Sequence, residues 1–125
     1  MVQEGLIEKP GFALVYRNDG FKCAFITADG QYAPGQIRTM KRHNSSDEVF
    51  VLIRGRAVLV TGEPSKMQYK YTALQTGISY CVEAGEWHYL SVSEDGLVFV
   101  AENSDVSAAN TDAIDVAYQL LTVEV

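Results

Sequence analysis

Cysteine is scarce in this chain, with only Cys23 and Cys81 among 125 residues. Two thiols so widely spaced exclude a disulfide framework, a zinc ribbon and a redox pair, and reduced, packed thiols are expected. No run approaches the roughly 18 apolar residues of a membrane-spanning helix. The opening stretch from Met1 to Phe12 lacks the basic run and apolar core of a secretory signal, so the expectation is a cytoplasmic protein with no membrane partner. Basic charge is thin as well: 10 Lys and Arg face 16 Asp and Glu, for a net charge of −6. The clustered base of a nucleic-acid footprint is missing, which argues against DNA or RNA as a partner. Beyond residue 70 there is no Lys or Arg at all, and histidine occurs only twice, at His43 and His88.

What is present fits one domain spanning residues 1–125. Apolar residues make up 47% and charged residues 21%, a composition ordinary for a globular domain. A chain of this size buries roughly two thirds of its unfolded surface, so no disulfide or metal is needed to hold it folded. Charge is unevenly spread. Residues 1–70 hold all 10 basic side chains and 7 acidic ones, giving +3, whereas residues 71–125 hold 9 acids, giving −9. Such a split predicts basic N-terminal strands paired with acidic C-terminal ones, or else a cationic patch for an anionic ligand.

Short β-type runs, punctuated by turn residues, dominate from residue 12 to residue 102. They are Phe12 to Arg17, Phe21 to Thr27, Gln36 to His43, Glu48 to Ile53, Arg56 to Thr61, Met67 to Ala73, Ile78 to Val82, Trp87 to Val92, and Leu97 to Glu102. Asp19-Gly20 and Asp95-Gly96 are hairpin signals, because glycine supplies the positive φ of a tight turn. About nine short strands without a convincing helix indicate an antiparallel sandwich or barrel and exclude parallel α/β folds. Beyond the polar connection 103–113, Ile114, Val116, Tyr118 and Leu120 alternate like a strand. Ile114, Ala117, Tyr118 and Leu121 equally fit a helical stripe, and periodicity does not choose between them. The run Val49-Phe50-Val51-Leu52-Ile53 is apolar on both faces, so its outer face needs cover from the N-terminal hairpin or from another subunit.

His43, Glu48 and His88 stand where strands begin or end, at positions that can meet at one barrel mouth. Two imidazoles and a carboxylate suit first-row divalent metals and leave positions open for water or substrate. The segment from Gly35 to Gly55 resembles the first motif of the cupin superfamily, in which Gly, five residues, His-x-His, three or four residues, Glu, six residues and Gly follow one another. Gly35, His43, Glu48 and Gly55 fall in register, and Lys41 replaces the first His. The second cupin motif is met by Gly77, Gly85 and His88, with Glu83 in place of its Pro and Val92 in place of its Asn. The resemblance covers residues 35–92 and implies an all-β double-stranded β-helix, a jelly-roll cupin barrel that is often dimeric. It also implies that His43, Glu48 and His88 bind a divalent transition metal such as iron, manganese, nickel or zinc.

Lys41 departs from that pattern, since an ammonium has three donors and no lone pair. A charge beside Glu48 would repel a divalent ion by several kcal/mol at low effective dielectric. Two outcomes follow. Either three ligands hold the metal while Lys41 turns aside, or the Lys41 ammonium takes the cation's place and bonds Glu48. Strand alternation puts Ile37, Thr39 and Lys41 beside His43, Phe50 and Leu52 beside Glu48, and Leu90 and Val92 beside His88. Trp87 and Tyr89 fall on the opposite face, in packing roles, while Tyr71 and Tyr80 are candidates for stacking on a sugar. The implied function is a metal-dependent isomerase, epimerase or oxygenase acting on a small sugar or acid, with Lys41 as acid or base. The alternative is a metal-free barrel that binds or senses a small-molecule ligand, with Lys41 and Arg54 gripping an anion.

Overall fold

The computed structural model describes residues 1–116. Ten strands among the described residues form two five-stranded antiparallel sheets. The first runs in the order β1 (Phe12–Arg17), β2 (Phe21–Ile26), β9 (Leu97–Asn103), β4 (Glu48–Arg54), β7 (Ser79–Val82). The second runs β10 (Thr111–Asp115), β3 (Thr39–His43), β8 (Trp87–Val92), β5 (Ala57–Glu63), β6 (Gln68–Ala73). From β3 to β10 the chain crosses repeatedly between the sheets, which is the winding of a double-stranded β-helix. No helix among the described residues is long and apolar enough to cross a membrane.

Alternation explains the core. In β4, Glu48, Phe50 and Leu52 are buried while Val49 and Val51 are half-buried, and β9 alternates likewise through Val98, Val100 and Glu102. Phe50, Leu52, Ile26, Leu59, Leu90, Val92, Val98 and Val100 fill the space between the sheets. Full burial of one such side chain contributes about 1.5–3 kcal/mol. A second cluster of Ile37, Met40, Val60 and Tyr89, with Tyr32, Trp87 and Ile114 packed against it, covers the far side of the second sheet.

Several expectations need correction. β3 begins at Thr39, three residues later than expected, because Gln31 Oε1 accepts hydrogen bonds from the amides of Arg38 at 2.7 Å and Thr39 at 2.8 Å. Alternation is thereby broken, and Ile37 enters the second cluster instead of standing beside His43. Neither Gly20 nor Gly96 takes a positive φ. In the first hairpin Asn18 Oδ1 instead accepts from the amides of Gly20 and Phe21 at 2.8 and 2.9 Å. Gly96 is needed for space: a Cβ there would lie 2.5 Å from Val92 Cγ1. The hairpin β1–β2 extends the first sheet edgewise beyond β9 and does not cover the outer face of β4. Cys81 is exposed, not packed, and both cysteines are free. The polar connection ends earlier than expected, since Thr111–Asp115 forms a strand on β3 that takes in Ile114, whereas Ala117, Tyr118, Leu120 and Leu121 lie outside the described residues.

Strand pairing accounts for part of the uneven charge, through one ion pair and one register match. Arg42 on β3 faces Asp112 on β10 with an Nε–Oδ2 distance of 2.9 Å, and Lys22 on β2 is in register with Glu102 on β9. The first pair is half-exposed and worth at most about 1 kcal/mol.

Candidate functional site

Two loops at one end of the barrel bring the site together. His43 closes β3 and Glu48 opens β4, with residues 44–47 between them. Gly85 donates its amide to the carbonyl of His43 at 2.8 Å, and Ala84 donates to Asp47 Oδ1 at 2.9 Å. These bonds stitch the loop before β8 to the loop before β4, which carries His88, the second residue of β8, to the same place. Ser46 is buried and its Oγ accepts from the amide of Asn103, tying in β9 as well.

His43 Nε2 lies 3.3 Å and His88 Nε2 3.0 Å from the same Glu48 Oε1. The ligand atoms of the three residues all lie within 4.8 Å of one another. Both outer nitrogens are also engaged. His88 Nδ1 is 3.0 Å from the carbonyl oxygen of Glu86, so that nitrogen carries a proton and donates it. His43 Nδ1 is 2.9 Å from Thr111 Oγ1. Partners of this kind orient an imidazole and leave its Nε2 for the centre, as around bound metals. The donor set therefore fits a divalent ion.

Electrostatics follow from this geometry. Burial pushes the Glu48 carboxyl up, but hydrogen bonds from His43 and His88 and their charge outweigh it and hold it well below the ordinary carboxylate range. Burial opposes charging of His88, yet its bonds to Glu48 and to the Glu86 carbonyl raise its affinity for a proton. In the absence of metal, a proton shared by His88 and Glu48 takes the place of a cation.

The site opens into a cavity of about 380 Å³. Apolar residues such as Phe12, Ile26, Phe50 and Leu90 line it together with Lys22, Lys41, His43, Glu48, His88 and Glu102. That mixture is usual for a small-molecule pocket. Lys41 is exposed and makes no ion pair among the described residues. Of the two arrangements open to Lys41, the structure shows the one in which it turns aside, and the Glu48 carboxylate is met by the two imidazoles. Arg54 lies at the opposite end of β4, where its Nε donates to the carbonyl of Asp95 at 3.3 Å, and it does not line the cavity. Tyr71 and Tyr80 are not part of the lining either, and Tyr80 instead accepts from the amide of Gln75. Trp87 packs on the outer face beneath the Arg42 guanidinium, 4.6 Å from its ring centroid. Tyr89, expected only to pack, also reaches the cavity, stacked on Tyr32 with centroids 5.0 Å apart.

Sequence reasoning missed Lys22, Glu102, Thr111 and Tyr32. Burial and the neighbouring charge of Glu48 push the Glu102 carboxyl above its ordinary range.

No family model and no curated protein sequence matches the chain. Solved structures do. A Streptomyces PAC13 variant with uridine superposes at a TM-score of 0.65 and 8% identity, covering 93% of each chain. A cupin-2 domain protein from Shewanella frigidimarina matches at 0.55 and 16% identity, covering 74% of this chain and 79% of its own. The chain has the cupin fold. A further match is QdtA, a sugar 3,4-ketoisomerase from Thermoanaerobacterium thermosaccharolyticum in complex with TDP. It superposes at 0.58 and 13% identity over 72% of this chain and 64% of its own. Within this cupin barrel, the site described above occupies the mouth between β3, β4 and β8.

Proposed function

We propose that this chain is a small-molecule cupin in which His43, Glu48 and His88 hold a divalent transition metal, and that its substrate is a small sugar or acid. One observation carries the reading: two imidazole Nε2 atoms and a carboxylate oxygen converge at the cavity, each imidazole oriented by a bond at its other nitrogen. When bound, the ion supplies Lewis acidity at a substrate oxygen. Lys41 at the mouth is the group that meets an anionic substituent or moves a proton at the substrate. Uridine on PAC13 and TDP on QdtA are small polar ligands of the same fold, which supports a ligand of that general class.

Calorimetric titration of wild type and Lys41→His with zinc tests this. A native three-ligand centre binds zinc already, and the added imidazole tightens binding only modestly while filling an open position and lowering activity. A second reading, a ligand-binding barrel without metal, draws support from the two lysines, Lys22 and Lys41, that line the cavity and can meet an anion there. Tight zinc binding by Lys41→His alone favours that second reading, and no binding by either protein removes the metal.

The outer face of the first sheet adds an assembly to the proposal. Val49, Val51, Phe25 and Phe99 are half-buried on that face, and Ile53 is 48% exposed. A homodimer through this face covers apolar surface that a monomer leaves wet. Light scattering at micromolar concentration is expected to give twice the monomer mass, and a monomer at every concentration refutes the dimer.

A further inference from the structure

Glu102 is the cavity carboxyl that the reading above leaves without a task. It points inward from β9, in register with Glu48 on β4, and lines the same cavity. It is 7% exposed, and its Oε2 has no hydrogen-bond partner among the described residues. Leaving a buried acceptor unmatched is costly, so such an atom asks for the donor that completes it. The nearest cation in register, Lys22, does not answer. Its ammonium donates to the carbonyl of Val106 at 2.8 Å and makes no ion pair among the described residues.

We infer that Glu102 holds the exchangeable ligand of the centre: its unmatched oxygen accepts a hydrogen bond from the water, or from the substrate hydroxyl, that fills the open position beside His43, Glu48 and His88. The inference rests on the metal reading and deepens it. Three protein ligands leave room for another donor atom, and Lys41 does not supply one while charged. An acceptor fixed on the wall beside the carboxylate ligand favours an incoming group that carries its own proton. A hydroxyl meets that demand, whereas an ether oxygen or a carbonyl does not. The substrate class this selects is a hydroxylated small molecule, bound through a hydroxyl oxygen whose proton points to Glu102.

Zinc titration by calorimetry of wild type, Glu102→Gln, Glu102→Ala and Glu48→Gln tests the inference, together with the pH dependence of the absorption of the cobalt(II)-loaded proteins. Loss of the Glu102 carboxylate is expected to weaken zinc binding about tenfold, as loss of an outer partner does elsewhere. It also moves the cobalt spectral transition to lower pH by about one unit, because a negative charge no longer favours the protonated form of the bound water. Wild-type affinity and an unmoved transition in both Glu102 variants overturn the inference while leaving the centre intact. Weaker binding with an unmoved transition assigns Glu102 a merely structural part and overturns it too. A wild type that binds no zinc removes the centre and this role with it.

Discussion

Glu48→Gln is expected to weaken zinc binding by more than about 100-fold, beyond the range that loss of an outer partner produces. The carboxylate is the one anionic ligand in the set, and its Oε1 is the point on which both imidazoles converge. An amide of the same size keeps the shape and discards the charge. The metal-free variant is also less stable, since removing one member of a buried pair costs about 3–5 kcal/mol. The pH dependence follows from the direction of each shift. Glu48 is held low, so its contribution is present above the ordinary carboxyl value and fades as the solution turns acid. His88 is raised, so its contribution is complete below the ordinary imidazole value and fades as pH rises through its folded value. The stability gap between wild type and variant is therefore widest between about pH 4 and 6.5 and narrows on either side. Thermal unfolding across that range measures it. A gap that does not change with pH contradicts the proposed pairing.

Zinc binding has the opposite trend. The ion must displace the proton that His88 shares with Glu48, so wild-type affinity climbs with pH until that proton is gone. Because binding of the proton at His88 is strengthened, the climb continues to higher pH than an ordinary imidazole would give.

Most of the strands were legible because hydrophobic alternation and turn residues are local signals, and the barrel is built from short strands that each display them. Phe50 and Leu52 beside Glu48, and Leu90 and Val92 beside His88, came directly from that period of two. The departures have local causes that periodicity does not register. One side-chain amide, Gln31, turned Ile37 out of register. An Asx turn at Asn18 replaced the glycine turn expected at Gly20. The site was legible only where a spacing marked it. His43, Glu48 and His88 belong to two recognisable motifs, whereas Lys22, Glu102 and Thr111 reach the cavity from β2, β9 and the start of β10 with no spacing in common. For Glu102 the signal was present but weak: it continues the inward series Val98, Val100, Glu102, a charged residue at a core position of an apolar strand. Arg54 was misplaced because its strand alone does not say at which end of the barrel a ligand enters.

Gly55→Ala is expected to destabilise the protein by about 3 kcal/mol, and the reasons separate into two parts. Gly55 ends the first motif at the β4–β5 turn with φ at +73°, in the left-handed region, where a Cβ costs roughly 1–2 kcal/mol. That Cβ would also lie 2.6 Å from Gly96 Cα and 2.9 Å from Ser93 Oγ, in the turn before β9. Relieving such overlap by moving backbone costs about 1–3 kcal/mol more. Ser93 has little freedom to yield, because its Oγ accepts from the amide of Arg56 at 2.9 Å and donates to Asp95 Oδ1 at 2.7 Å. Conformation and contact can be told apart by experiment. Gly96→Ala removes no left-handed residue and meets Val92 Cγ1 at 2.5 Å, so its cost reads the contact alone. With the sheets joined at this end through the two turns, the Gly55→Ala midpoint in urea should fall with an unchanged slope. Zinc affinity should stay at the wild-type level, because the turn lies at the far end of β4 from Glu48. A Gly55→Ala variant as stable as wild type would show that the turn relaxes freely and that the close approach to Gly96 holds nothing in place.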